Sequence, residues 1–163
     1  MSFDRLIRKI VETKNPTVVG LDPKLEYIPE ELKAEAYAKY GKTLEGAAEA
    51  ILSFNKGIID AICDVVPAVK PQCAFYERFG WQGMKALAET IAYAKEKGMF
   101  VIIDGKRNDI GSTMTAYAVA HLGDVEVEGE VYTPFGGDAL TVNGYLGTDG
   151  ISPLTDICVK KDT

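Results

Sequence analysis

Short apolar runs alternate with amphipathic stretches along this chain. The apolar runs predict four β-strands, at residues 17–23, 65–72, 100–104 and 139–142. The amphipathic stretches between them predict helices, at residues 3–13, 43–62, 81–97 and 110–121. We expect residues 24–41 to be irregular or loosely helical. A turn-rich loop should follow the fourth strand as far as Gly150, and the last residues should form another helix.

Apolar strands separated by helices are typical of a parallel sheet that is covered by helices. Two such folds fit the pattern, an open doubly wound sheet and a (β/α)₈ barrel. The glycines after the fourth strand do not have the spacing of a phosphate-binding glycine loop, so we interpret Gly144, Gly147 and Gly150 as turn residues. The length of 163 residues suits one domain.

Composition argues against several functional classes. The net charge of -6 disfavours nucleic-acid binding as the main task. Three cysteines fit neither a metal-site spacing nor an even disulfide framework, and His121 is the only histidine, which disfavours a histidine-based triad or metal site. The cysteines indicate a reducing compartment. Because no stretch resembles a membrane span or a signal peptide, we expect a cytoplasmic protein without a membrane partner.

Polar and charged residues follow the predicted strands at Asp22, Lys70, Asp104, Lys106 and Asn143. Barrel enzymes collect their catalytic residues at this edge of the sheet. Asp104 and Lys106 are two positions apart on an extended segment, so their side chains should point to the same side. Each position also has a structural interpretation. Asp104 and Lys106 would form a structural ion pair, Asp109 would cap a helix, Lys70 would be a solvated strand-end lysine and Asp22 a turn residue.

The string Asp104-x-Lys106-x-x-Asp109 resembles the motif that ends the third strand in the orotidine 5′-phosphate decarboxylase suprafamily. Further matches are Ile110 and Thr113 after that motif, Gly20-Leu21-Asp22 at the first strand and Val69-Lys70-Pro71 at the second. The segments 100–113 and 142–147 look most like the longer bacterial branch of that family.

This resemblance implies a (β/α)₈ fold and an enzyme of pyrimidine synthesis that converts orotidine 5′-phosphate to uridine 5′-phosphate. It implies that Lys106 stabilises and protonates a carbanion at C6 of the pyrimidine, and that Asp104 orients the ammonium group. Lys70 would position Asp104 and a ribose hydroxyl. The family works without a metal and without an organic cofactor, and its substrate is a small nucleotide.

The resemblance also implies binding roles and a partner. Asp22 would accept a hydrogen bond from the ribose. Asp109, Ile110 and Thr113 would reach into the active site of a second subunit, which requires at least a homodimer. Sugar-phosphate decarboxylases and aldolases of the same suprafamily remain an alternative, but they carry an acidic magnesium ligand where this chain has Lys70.

The number of predicted strands differs from that of a complete barrel. A (β/α)₈ barrel typically needs about 250 residues, and four of eight strands are predicted here. We therefore expect residues 1–163 to be the N-terminal half of one barrel domain. The second half, with phosphate-gripping loops after strands seven and eight, would be absent. A half-barrel that serves only as a non-catalytic association module is a further alternative.

Overall fold

The computed structural model describes residues 2–163, which form seven α-helices and six strands. The strands are β1 (Val18–Leu21), β2 (Ala68–Pro71), β3 (Phe100–Arg107), β4 (Val125–Val127), β5 (Glu130–Tyr132) and β6 (Ala139–Val142). The helices are α1 (Ser2–Thr13), α2 (Glu30–Tyr40), α3 (Leu44–Ile62), α4 (Ala74–Glu77), α5 (Gly80–Glu96), α6 (Gly111–Leu122) and α7 (Ser152–Lys161). Two 3₁₀ turns lie at Leu25–Tyr27 and Gly147–Gly150.

One parallel sheet contains β1, β2, β3 and β6 in that spatial order. Val19 pairs with Val69, Val69 with Val101, and Ile103 with Leu140. The strands thus lie side by side in the order in which they occur in the chain, whereas a doubly wound sheet reverses direction at a switch point. The chain therefore has the sheet order of consecutive β/α units in a (β/α)₈ barrel, and the doubly wound interpretation is excluded.

The core lies between this sheet and the helices that cover one of its faces. Alternate strand residues point into it, and Val69, Val101 and Ile103 have no exposed surface. The apolar side chains of α3 and α5 complete the same cluster, among them Ile51, Ile59, Leu87 and Ile91. Removing this apolar surface from water is the main driving force for the fold. It also fixes which strand residues are left to point to the opposite face.

Most predicted elements are confirmed, and four differ, one of them the short helix α4, which was not predicted. Residues 24–41, expected to be irregular or loosely helical, contain the 3₁₀ turn and the regular helix α2. The third strand continues three residues beyond Asp104 to Arg107. The antiparallel hairpin of β4 and β5 was not predicted. Its turn residues Glu128 and Gly129 both have positive φ, as in the type I′ turns that favour two-residue hairpins.

Helix α1 has an apolar stripe that no other element among residues 2–163 covers. Phe3, Ile7 and Val11 follow one another at helical spacing and are exposed by 69%, 56% and 69%. The helix is held instead by polar contacts, because Arg5 donates to the buried carboxylate of Asp138 at 2.8 Å. Within residues 2–163 no helix has the length and apolar character needed to cross a membrane.

Candidate active site

The carboxylate of Asp104 is the centre of the candidate site. Its Oδ1 accepts hydrogen bonds from Lys106 Nζ at 2.5 Å and Thr141 Oγ1 at 2.7 Å. Its Oδ2 accepts from Lys70 Nζ at 2.7 Å and Gln72 Nε2 at 2.9 Å. The side chain of Asp104 is only 7% exposed, so these donors replace water around it. We call these five residues the Asp104 array.

The array follows directly from the parallel sheet. Lys70 and Gln72 lie at the end of β2, Asp104 and Lys106 at the end of β3, and Thr141 on β6. Lys70 and Gln72 are two positions apart, as are Asp104 and Lys106, and residues at this spacing in a strand project to the same face. Thr141 is the one residue that β6 contributes to the array. Because the carboxyl ends of parallel strands meet at one edge, three neighbouring strands bring their polar side chains together there.

Electrostatics keep Asp104 ionised. Burial disfavours the charged form of this carboxyl, but hydrogen bonds from Lys106, Lys70 and Thr141 outweigh burial and hold its pKa well below the usual range. Asp104 therefore stays negatively charged at any physiological pH. It can hold two ammonium groups, those of Lys70 and Lys106, at the same edge of the sheet.

Lys106 lies in an irregular part of β3. Arg107 lies four positions after Ile103, whereas Val142 lies two after Leu140, so β3 carries two extra residues in this pairing. Within this bulge Lys106 has a φ of 49°, in the left-handed region that side chains usually avoid. Such strained residues cluster at functional sites. The bulge directs a side chain that is 64% exposed back onto Asp104.

Asn143, which was predicted at the end of the fourth sheet strand, fixes the loops beside the array. Its Nδ2 donates to the carbonyl of Lys106 at 3.3 Å, and Asn108 Nδ2 donates to the carbonyl of Asn143 at 2.6 Å. These bonds link the loop after β3 to the loop after β6. They tie the backbone around Lys106 to the chain that follows β6.

Asp22 lies at the same edge but outside the array. It directly follows β1, whose last residue Leu21 pairs with Pro71 of the neighbouring strand. The exposed carboxylate lines an open pocket of about 190 Å³ between the end of β1 and residues Phe54 and Asn55 of α3. Among residues 2–163, Asp22 forms neither a hydrogen bond nor an ion pair with the array.

Asp109, Ile110 and Thr113 are not part of the array. Asp109 Oδ1 accepts a hydrogen bond from the N–H of Ile110 at 2.7 Å. The residue that precedes α6 is Ile110, and no side chain caps this helix, so the interpretation of Asp109 as a helix cap is wrong. The side chains of Ile110 and Thr113 are exposed to solvent.

Two members of the array were missed in the sequence. Gln72 is two positions after Lys70, and Thr141 is two positions before Asn143. The twofold periodicity of a strand could have identified both as neighbours of the predicted residues. Neither amide nor hydroxyl side chains carry charge, and such residues are common at strand ends, so nothing else in the sequence distinguished them.

Within the described part of the chain, no three His, Cys, Asp or Glu side chains lie close enough together to hold a metal ion. Asp104, the carboxylate at the centre of the site, forms ion pairs with Lys70 and Lys106.

Consecutive parallel β/α units with charged side chains at the carboxyl edge define the barrel class of α/β proteins. The family model described as "Orotidine 5'-phosphate decarboxylase / HUMPS family" matches residues 18–162. The chain belongs to this family.

Individual relatives agree with this assignment. The chain is 46% identical to the orotidine 5'-phosphate decarboxylase of Rhodopirellula baltica over 152 residues. This alignment covers 93% of the chain and 48% of the relative. Among solved structures, a putative orotidine 5'-phosphate decarboxylase from Streptomyces avermitilis has a TM-score of 0.73 and 34% identity, covering 97% of this chain and 49% of that one. The structure of a putative orotidine-monophosphate-decarboxylase from Toxoplasma gondii has a TM-score of 0.74 and 29% identity; the match covers 94% of this chain and 44% of that one. The chain spans about half the length of the relatives that it matches.

Proposed function

We propose that residues 1–163 form the N-terminal half of a (β/α)₈ barrel that decarboxylates orotidine 5′-phosphate to uridine 5′-phosphate. The complete enzyme would act as a cytoplasmic homodimer in pyrimidine synthesis. Family membership supports this reaction class, because relatives with 46% and 37% identity carry the name orotidine 5'-phosphate decarboxylase. The sequential order of the four parallel strands supports the half-barrel.

The observation that carries the proposal is the ammonium group of Lys106, which is held on a buried carboxylate. Loss of carbon dioxide from C6 of the pyrimidine leaves a carbanion without a good π sink, so the enzyme must stabilise the charge directly. A preorganised cation beside the reacting carbon does this without reorganisation during the reaction. Lys106 Nζ is 2.5 Å from Asp104 Oδ1 and partly exposed, so it is both oriented and accessible to a substrate. The same group would then donate a proton to C6.

The other residues of the site have supporting roles in this proposal. Asp104 orients Lys106, and its charge lies near the departing carboxylate. Lys70, bonded to Asp104 at 2.7 Å, keeps that charge in place and would contact a ribose hydroxyl. Asp22 lines the pocket beside β1 with an exposed carboxylate, as a residue that accepts a hydrogen bond from the ribose must do.

Asp109, Ile110 and Thr113 would complete the site of a second subunit. Two features support this role: within residues 2–163 none of them is hydrogen-bonded or ion-paired to the Asp104 array of its own chain, and Ile110 is 64% exposed. An apolar side chain so exposed at the start of α6 is available to another molecule.

The test is a hybrid protein that joins residues 1–163 to the second half of the Rhodopirellula baltica relative. We expect it to decarboxylate orotidine 5′-phosphate, and we expect Lys106→Ala to lower kcat by roughly 10,000-fold or more. The matched control is Lys85→Ala. Lys85 is similarly exposed, at 60%, and similarly paired, at 2.7 Å from Glu89, but it lies on α5 away from the site. A Lys106→Ala hybrid that kept a tenth of the activity would rule out Lys106 as the proton donor.

A further inference from the structure

Thr141 makes two hydrogen bonds that meet at Lys106. Its Oγ1 accepts from the backbone N–H of Lys106 at 3.0 Å and donates to Asp104 Oδ1 at 2.7 Å. A threonine hydroxyl has one proton, so the direction of both bonds is fixed once the carboxylate accepts. Because Lys106 Nζ also bonds Asp104 Oδ1, the three residues form a closed ring that begins and ends on Lys106.

The ring closes where the backbone most needs a restraint. The bulge in β3 removes Lys106 from the regular ladder with β6, and its φ of 49° is unfavourable for a residue with a side chain. The N–H of Lys106 would lack a strand partner there, and Thr141 supplies one. Asn143 binds the carbonyl of the same residue at 3.3 Å. Strand β6 and the residue that directly follows it thus hold both backbone polar groups of Lys106.

A lysine side chain with 64% exposure normally samples many rotamers. Here its backbone is fixed by Thr141 and its ammonium by Asp104, so few positions remain for Nζ. Misplacement of a reacting group by about 1 Å can lower a rate on the order of 100-fold. We propose that Thr141 is a positioning residue that holds Lys106 in its left-handed conformation and aims its ammonium group. This role rests on the decarboxylation proposed above.

The first test uses the chain itself and does not depend on activity. Thr141→Val keeps the shape and removes the hydroxyl, whereas Thr141→Ser keeps the hydroxyl. We expect the amide hydrogen of Lys106, followed by NMR, to exchange about tenfold faster or more in Thr141→Val and nearly as in the wild type in Thr141→Ser. Thr115→Val is the control, because Thr115 bonds only the carbonyl of Gly111 in α6. Unchanged exchange in Thr141→Val with the fold intact would refute the ring.

The second test uses the hybrid protein described above. Thr141→Val should lower kcat on the order of 100-fold with a smaller change in KM, and Thr141→Ser should restore most of the rate. If Thr141→Val kept the wild-type kcat while Lys106→Ala was inactive, decarboxylation would stand and the positioning role would fall. If the unmodified hybrid was inactive while Lys106 exchange still responded to Thr141→Val, the proposed function would fail and Thr141 would be only a structural restraint.

Discussion

The imidazole of His121 is buried in α6 and makes stability depend on pH. His121 is only 3% exposed, and its ring stacks on those of Phe135 and Tyr117, with ring centroids 5.2 and 6.4 Å apart. Within residues 2–163, its Nδ1 has no hydrogen-bond partner. Burial and the nearby positive charge of Arg107, opposed in part by Glu77, together lower the pKa of His121 from 6.5 to about 4. The folded chain therefore keeps this histidine neutral well below pH 6.5.

The sign of the effect follows from linkage. The unfolded chain binds a proton at His121 below pH 6.5, whereas the folded chain does so only near pH 4. Falling pH therefore favours the unfolded state across this window, and the loss levels off below pH 4. Between pH 7.5 and 4.5, the two pKa values give a loss of roughly 2 to 3 kcal/mol in the free energy of unfolding.

Urea unfolding of residues 1–163 at the two pH values measures this loss. The comparison is with His121→Phe, which keeps an aromatic ring against Phe135 and cannot be protonated. Carboxylates such as Asp104 contribute equally to both proteins and cancel in the difference. We expect the wild type to lose roughly 2 to 3 kcal/mol more than the variant, which corresponds to a shift of the unfolding midpoint by roughly 1 M urea or more. Equal losses in the two proteins would show that His121 is protonated in the folded state or is not buried.

Three further predictions concern the proposed enzyme. Because Lys70 lies where a magnesium ligand would be needed, decarboxylation by the hybrid should be unchanged after exhaustive chelation; a requirement for magnesium would favour the sugar-phosphate branch. Lys106→Ala and Asp109→Ala hybrids should each be inactive, but mixing and re-associating them should restore activity, unless Asp109 serves its own subunit's site. Residues 1–163 alone should show at most a trace rate of decarboxylation, and a rate like that of the hybrid would contradict this. They should also run as a dimer or larger by light scattering, because Phe3, Ile7 and Val11 are uncovered; a monomer would contradict this second expectation.

The fold was predictable where apolar pattern and length agreed. Strand β3 reads as Phe100-Val101-Ile102-Ile103, a short β-branched and aromatic run that is typical of a strand buried on both faces. The hairpin of β4 and β5 was missed although Val125-Glu126-Val127 alternates and Glu128-Gly129 suits its turn, because three-residue strands give little periodic signal. Residues 24–41 were predicted only as irregular or loosely helical, and the regular helix α2 was not identified, because polar residues surround it and Ala36 is its one buried residue.

Only the charged residues of the Asp104 array were predicted from the sequence. Lys70, Asp104 and Lys106 were expected at one edge of the sheet, and the structure brings them into contact. The contacts of Gln72 and Thr141 with Asp104 depend on the register between neighbouring strands, which the sequence does not specify locally. The bulge at Lys106 was also hidden, because an extended Asp-x-Lys segment and a bulged one have the same sequence.

Stability alone is a poor explanation of the Asp104 array, although a structural ion pair was one interpretation of Asp104 and Lys106. Desolvating a carboxylate is costly, and an apolar residue of similar size is often as stable as a buried ion pair. One cation would have neutralised Asp104, yet the structure gives it two lysines, an amide and a hydroxyl. Lys106 moreover adopts an unfavourable φ to take part. A protein selected only to bury an ion pair gains nothing from this strain, whereas an enzyme gains a fixed cation at an accessible edge. This cost is the physical argument for the proposed catalytic role of Lys106 over a purely structural one.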